Sequence, residues 1–121
     1  MIKRFEELEC WQAARQLVNT VFEVCDEGRL RKDFDLRSQF RRAALSCMNN
    51  IAEGFGRRKS QPDLIRFLDY TDGSCCEVQS MTYVLEDRKY LDIEKIQLIR
   101  DQSEKVKAKT LGFIAAVRRN M

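Results

Sequence analysis

The chain has 121 residues, which fits one domain spanning 1–121 and able to bury a core without disulfide or metal staples. One proline and five glycines, in no run, leave no linker, collagen-like or low-complexity segment. The formal charge is +3 and there is no histidine, so a metal site would need thiolates or carboxylates alone, and none has ligand spacing.

The opening MIKRFEELECW turns acidic before any apolar run develops. Neither a signal peptide nor a membrane span is expected, and a cytoplasmic address follows. Five cysteines, an odd number without C-x-x-C spacing, fit reduced thiols in a core better than a disulfide framework.

From Phe5 to about Asp26, apolar residues at Leu8, Trp11, Ala14, Val18, Val21 and Cys25 recur at helical spacing, with Ala13, Leu17 and Val24 beside them. Gly28 breaks this first helix. A second opens near Asp33 or Asp35, both good N-caps, carries Leu36, Phe40, Ala43, Cys47 and Ile51 inward, and is expected to end on a left-handed Gly54 or Gly56. A third starts at the capping box Ser60-x-x-Asp63 with Pro62 in its first turn. Its stripe runs Leu64, Phe67, Leu68, Thr71, Cys75, Val78, Met81, Leu85, in phase through Asp72-Gly73, so Gly73 and Ser74 are read as helical and as a point of close helix approach. Asp92 caps a fourth helix with Ile93, Ile96, Ile99, Ser103, Val106, Thr110, Phe113 and Val117 in near-heptad order. Four helices of similar length, short connections and no strand-period alternation predict an all-α, antiparallel up-down-up-down four-helix bundle.

The most site-like stretch is NNIAEGFGRRKS, residues 49–60. It fails as a dinucleotide-binding turn, because the third glycine position is Lys59 and a helix precedes Gly54. It fails as a P-loop, because Arg58 stands where glycine must precede the lysine. Glu53 has no histidine or paired carboxylate within a turn, and Ser46 and Cys47 have no imidazole to activate them, so an enzyme is not expected. No cofactor and no small-molecule substrate follow from any motif.

A polar stripe remains: Gln39, Arg42, Ser46, Asn49 and Glu53 at intervals of three and four, extended by Arg57. A solvated face with a Glu53–Arg57 pair contributing ~0.3–0.5 kcal/mol and a subunit interface beside the small residues Ala43, Ala44, Ala52 and Gly54 explain this stripe equally well. Between Arg29 and Lys59 nine cations face three anions, a local balance of +6 that leaves the rest of the chain at −3. Arg57, Arg58 and Lys59 complement a helix C-terminus, and with Arg37 and Arg41 they form a candidate strip for phosphate contacts. Apart from Phe55 no aromatic is interleaved there, so contacts to nucleic acid are expected at the backbone.

The chain resembles the small bacterial four-helix-bundle proteins encoded in intervening sequences of large-subunit ribosomal RNA genes. The resemblance is carried by Phe5-Glu6-Glu7-Leu8 with Trp11-Gln12-Ala13-Ala14, by Leu36 to Ala44, by Asn50-Ile51-Ala52-Glu53-Gly54 with Gly56-Arg57, and by Phe67-Leu68 and Gly73-Ser74. Beyond Leu91 periodicity alone supports the fourth helix. Cys47-Met48-Asn49 and Cys75-Cys76 depart from the usual pattern. Membership implies a ring-shaped homopentamer without known enzymatic activity. A more distant similarity to accessory proteins of diversity-generating retroelements implies RNA or a reverse transcriptase as partner. The expectation is a noncatalytic homo-oligomer binding structured RNA through Arg37, Arg41, Arg57, Arg58 and Lys59, with Gln39, Arg42, Ser46, Asn49 and Glu53 at or near a subunit contact. The competing expectation is a protein-interaction scaffold.

Overall fold

The computed structural model describes residues 1–120. Four α-helices follow one another, α1 Glu9–Cys25, α2 Phe34–Gly56, α3 Gln61–Asp87 and α4 Ile93–Arg119, with short 3-10 turns at Phe5–Glu7 and Gly28–Lys32 and no strand among the described residues. α1 packs on α2 and α4, and α3 packs on α2 and α4, so the four helices enclose one core. Leu17, Val21, Phe40, Ile51, Leu68, Val78, Leu85, Ile99 and Val106 are fully buried there. The apolar stripes of the sequence account for most of this core, to which the fold adds Cys10, Leu30, Ala44, Phe55 and Ile114, while Trp11, Leu36, Met81 and Phe113 are only half-buried and Ile93 is excluded at 56% exposure.

The helix ends differ from expectation in instructive ways. α1 starts at Glu9 and not at Phe5, because Leu8 takes an extended backbone that turns its side chain into the core. The preceding turn is latched onto α1 by Phe5 against the Trp11 ring, with centroids 5.2 Å apart, and by the Gln12 side-chain amide donating to the Glu6 carbonyl at 2.9 Å. These contacts give the Phe5, Trp11 and Gln12 side chains a joint role, while residue 6 contributes only its backbone carbonyl to them.

At the start of α2, Asp33 accepts a hydrogen bond from the Leu36 N–H, as an N-cap should. Ser60 likewise accepts from the Asp63 N–H, while the Ser60 N–H goes to the Arg57 carbonyl, so only half of a capping box forms. Asp92 makes no side-chain cap.

The glycines exchange their expected roles. α2 does end at Gly56, one of the two expected positions, but without a left-handed glycine: Arg57 is the C-cap with φ −103°, and Gly54 lies inside the helix, buried. A Cβ on Gly54 would sit 2.9 Å from the Phe67 Cβ and 3.3 Å from the Leu64 carbonyl, so this is where α2 and α3 approach closely. Gly73, read from the sequence as the close approach, has open space around its missing Cβ. Gly28 is the glycine that needs its freedom, with φ +53° and the Tyr90 carbonyl 3.0 Å from where a Cβ would be.

Gly54→Ala is therefore expected to destabilise the fold by about 1–3 kcal/mol through overpacking against backbone. Gly73→Ala should stabilise it by roughly 0.5–1 kcal/mol through helix propensity. Urea unfolding of the two variants followed by circular dichroism checks the opposite signs.

Candidate functional site

α2 carries every residue that the sequence singles out except the connection 57–59, and its helical geometry sorts them. At 3.6 residues per turn, the polar stripe lies roughly 130° around the axis from the buried row of Phe40, Cys47 and Ile51, whereas Arg37 and Arg41 flank that row on the other side. Arg57 follows Arg37 by twenty positions, about 30 Å along the axis. The structure thus separates the five candidate cations into two groups at opposite ends of α2.

Arg37 and Arg41 are engaged within the chain. The Arg37 guanidinium donates to the Cys25 carbonyl at 3.0 Å and to the Asp26 carboxylate at 2.7 Å, closing the C-terminus of α1, where a cation also meets the negative end of the helix dipole. Arg41 stands 3.6 Å from the same carboxylate and lies over the Phe22 ring at 4.8 Å. Burial raises the Cys25 thiol above its ordinary range, and both arginines partly offset the shift.

The second group is exposed. Arg57 pairs with Glu53 at 3.0 Å and lies over the Phe67 ring at 5.1 Å, while Arg58 donates to the Phe55 carbonyl at 2.9 Å and stacks on the Phe55 ring at 4.2 Å. Arg66 approaches Phe67 as well, at 5.4 Å. Phe55 itself is buried, so its ring is the base on which Arg58 rests and offers no open stacking face. Lys59 is exposed and has no ion pair among the described residues.

The stripe is divided too. Ser46 is half-buried and shares a 2.8 Å hydrogen bond with Ser74 on α3, and Asn50 donates to both the Ser46 carbonyl and hydroxyl at 2.9 Å. Gln39, Arg42, Asn49 and Glu53 face outward. Asn49, Ala52, Glu53, Gly56 and Arg57 line one shallow depression, in which the two smallest side chains leave the amide and the ion pair accessible.

Three further exposed cations lie at the other end of α2. Arg29, Arg31 and Lys32 project from the Gly28–Lys32 turn, all exposed and without an ion pair among the described residues, while Leu30 between them is fully buried. The signal was legible in GRLRK, three cations in five positions with no acid.

Among the described residues no group of three or more metal-ligating side chains gathers. All five thiols are free. Cys47 and Cys75 touch across α2 and α3 with their sulfurs 3.5 Å apart, and that contact together with burial raises the Cys75 thiol. Burial pushes Cys10 up to about 11. Cys76 alone is exposed, with the Lys107 ammonium 3.0 Å from its sulfur. Among the described residues no helix is long and apolar enough to cross a membrane.

A protein-family model described as "23S rRNA-intervening sequence protein" matches residues 6–112. The match takes in α1, α2 and α3 whole and runs well into α4, further than the sequence motifs alone reach. A search of curated proteins finds no match.

Arg37→Ala is expected to cost about 1–2 kcal/mol, because the half-buried α1 terminus loses a charged donor. Glu53→Ala should change the stability of the isolated chain by less than ~0.5 kcal/mol, since both partners of its ion pair are about half exposed. Thermal denaturation of both variants provides the comparison. Thiol titration of the native protein should show one fast equivalent per chain, from Cys76, and four slow ones; more than one fast thiol means that the core opens readily.

Proposed function

Since the chain belongs to the 23S rRNA-intervening sequence protein family, we propose that it is a noncatalytic, homo-oligomeric binder of structured RNA or of an RNA-containing partner. The observation that carries this reading is the pair of exposed cation groups, Arg29-Arg31-Lys32 at one end of α2 and Arg57-Arg58-Lys59 at the other, in which only Arg57 has a carboxylate partner among the described residues. Cations left unneutralised by the chain's own acids are available to phosphates, and phosphate contacts release counterions from the nucleic acid. Arg37 and Arg41 share their charge with Asp26 and contribute less.

The oligomer is the ring-shaped homopentamer that family resemblance implies, built from single-domain subunits acting in the cytoplasm. Within each subunit the helices run antiparallel, up-down-up-down. Support comes from contacts whose numbering rises on one helix as it falls on the next: Ser46 with Ser74 and Gly54 with Phe67 between α2 and α3, then Gln79 with Glu104 and Thr82 with Arg100 between α3 and α4. The outward Gln39, Arg42, Asn49 and Glu53, with Ser46 at their edge, suit a subunit contact. A noncatalytic role is supported by the absence of histidine and by the open ion pair that Glu53 makes, far from the desolvated setting that a catalytic acid needs.

A second reading, a protein-interaction scaffold or reverse-transcriptase accessory subunit without RNA affinity of its own, is favoured by one feature. The depression lined by Asn49, Ala52, Glu53, Gly56 and Arg57 joins amides, small residues and a charge pair, as protein contacts do.

Neutralising Arg57, Arg58 and Lys59 together decides between the two. On the first reading the variant keeps its oligomeric mass and loses affinity for structured RNA, and its plot of log affinity against log salt becomes shallower by about two to three units for three lost contacts. Dissociation of the oligomer, with no RNA binding by the unaltered protein even at low salt, establishes the scaffold instead. Native mass measurement and RNA titration at two salt concentrations read both outcomes.

A further inference from the structure

At the corner where α1 passes to α2, the Phe34 side chain is 72% exposed, in the first turn of α2 and directly after the Arg29-Arg31-Lys32 group. The ring is held out by a braced support. Leu30 is buried beneath the turn, Arg29 donates to the Lys89 carbonyl at 3.2 Å, and the Tyr90 hydroxyl donates to Asp33 at 3.0 Å, so the turn is fastened to the α3–α4 connection on both sides of the chain. The left-handed backbone of Gly28 lets that turn lie against the Tyr90 carbonyl. Phe34, Arg29, Lys32, Asp33, Asp35 and Tyr90 line an open concavity of about 590 Å³.

We infer that this corner takes an unpaired nucleobase of a single-stranded nucleic acid on the face of Phe34, with the adjoining phosphates on Arg29 and Lys32, the two cations that line the concavity. The inference rests on the nucleic-acid reading above and adds to it a second site with different selectivity. An apolar partner covering Phe34 would also cover Lys32 and Asp35 and would strip water from charges for which it has no counterpart. A nucleotide answers both needs at once, because its base has an aromatic face and its backbone carries a negative charge. Stacking on an aromatic side chain is available only to a base outside a duplex. The Asp35 carboxylate, exposed at the rim, is an acceptor for an amino group on the edge of such a base. The opposite corner lacks this property, since Phe55 is buried under Arg58 and Phe67 is flanked by Arg57 and Arg66.

The test is fluorescence anisotropy with labelled oligoadenylate, as RNA and as DNA, and with a blunt RNA duplex, titrated with the unaltered protein, Phe34→Ala and Phe34→Trp. Phe34→Ala should weaken oligoadenylate binding about 5- to 100-fold and leave duplex affinity unchanged. Phe34→Trp should restore the affinity, and its indole emission should be quenched by the oligonucleotide beyond any change seen for Trp11 in the unaltered protein. Equal binding of oligoadenylate by Phe34→Ala and the unaltered protein overturns the platform and leaves the structured-RNA reading standing, as does an equal loss on strand and duplex. Failure of the unaltered protein to bind either strand or duplex at low salt overturns both. Preference between the RNA and DNA strands identifies which nucleic acid the corner selects.

Discussion

The close approach of α2 to α3 is the constraint on which the other features depend. Along this seam the side chains are small: Gly54 faces Leu64 and Phe67, Cys47 touches Cys75, and Ser46 meets Ser74. The Thr71 hydroxyl donates to the Cys47 carbonyl at 3.0 Å, which satisfies a polar group that close packing would otherwise leave stranded in the core. With the two backbones held together, the connection between them can be as short as residues 57–60, and it presents Arg57, Arg58 and Lys59 from one tight turn. The same packing leaves Gln39, Arg42, Asn49 and Glu53 exposed on α2, with Ser46 held at the α3 edge of that face by its bond to Ser74.

Charge in this protein is divided between holding the fold and facing outward. Arg37, Arg41, Arg100 and Lys107 are engaged with acids and lie partly within the surface, Arg100 bridging the Thr82 hydroxyl and Glu86 and lying 4.0 Å over the Tyr83 ring. Removing any of these would disturb helix ends or helix pairs. The cations of the Gly28–Lys32 turn and of the α2–α3 connection are partnered chiefly by carbonyls and aromatic faces, so that apart from Arg57 their charge is not neutralised by an acid among the described residues. A formal charge of +3 conceals this division, which appears only when each cation is set beside its neighbours.

The two exposed corners are chemically distinct. At the α2–α3 corner the guanidiniums of Arg57, Arg58 and Arg66 lie on aromatic rings, so the rings hold the cations in place and the surface offered is positive charge. At the α1–α2 corner the ring of Phe34 is free and the cations stand beside it, so the surface offered is an aromatic face edged with charge. Both are anchored by buried apolar residues, Phe55 in one case and Leu30 in the other, which position the charges without being exposed themselves.

The sequence by itself determined the helices, because apolar spacing along α1 to α4 is a local code for which face of each helix must be buried, and most of the expected stripe residues lie in the core, with Trp11, Leu36, Phe67, Met81 and Phe113 at its margin. It also determined the caps at Asp33 and Ser60, whose hydroxyl or carboxylate acts within a few residues of itself. Tertiary structure alone decided which glycine does what: Gly54 and Gly73 look alike in sequence, and only the distance to Phe67 marks the first as a contact and the second as empty space. It likewise decided which arginines are free. Arg37 and Asp26 are eleven positions apart and meet because α1 and α2 pack against each other, so an arginine that reads as a ligand for phosphate becomes the cap of another helix. Helical periodicity acts over a turn or two and can be read along the chain, whereas the partner of a long, flexible charged side chain is set by whatever the fold places within its reach.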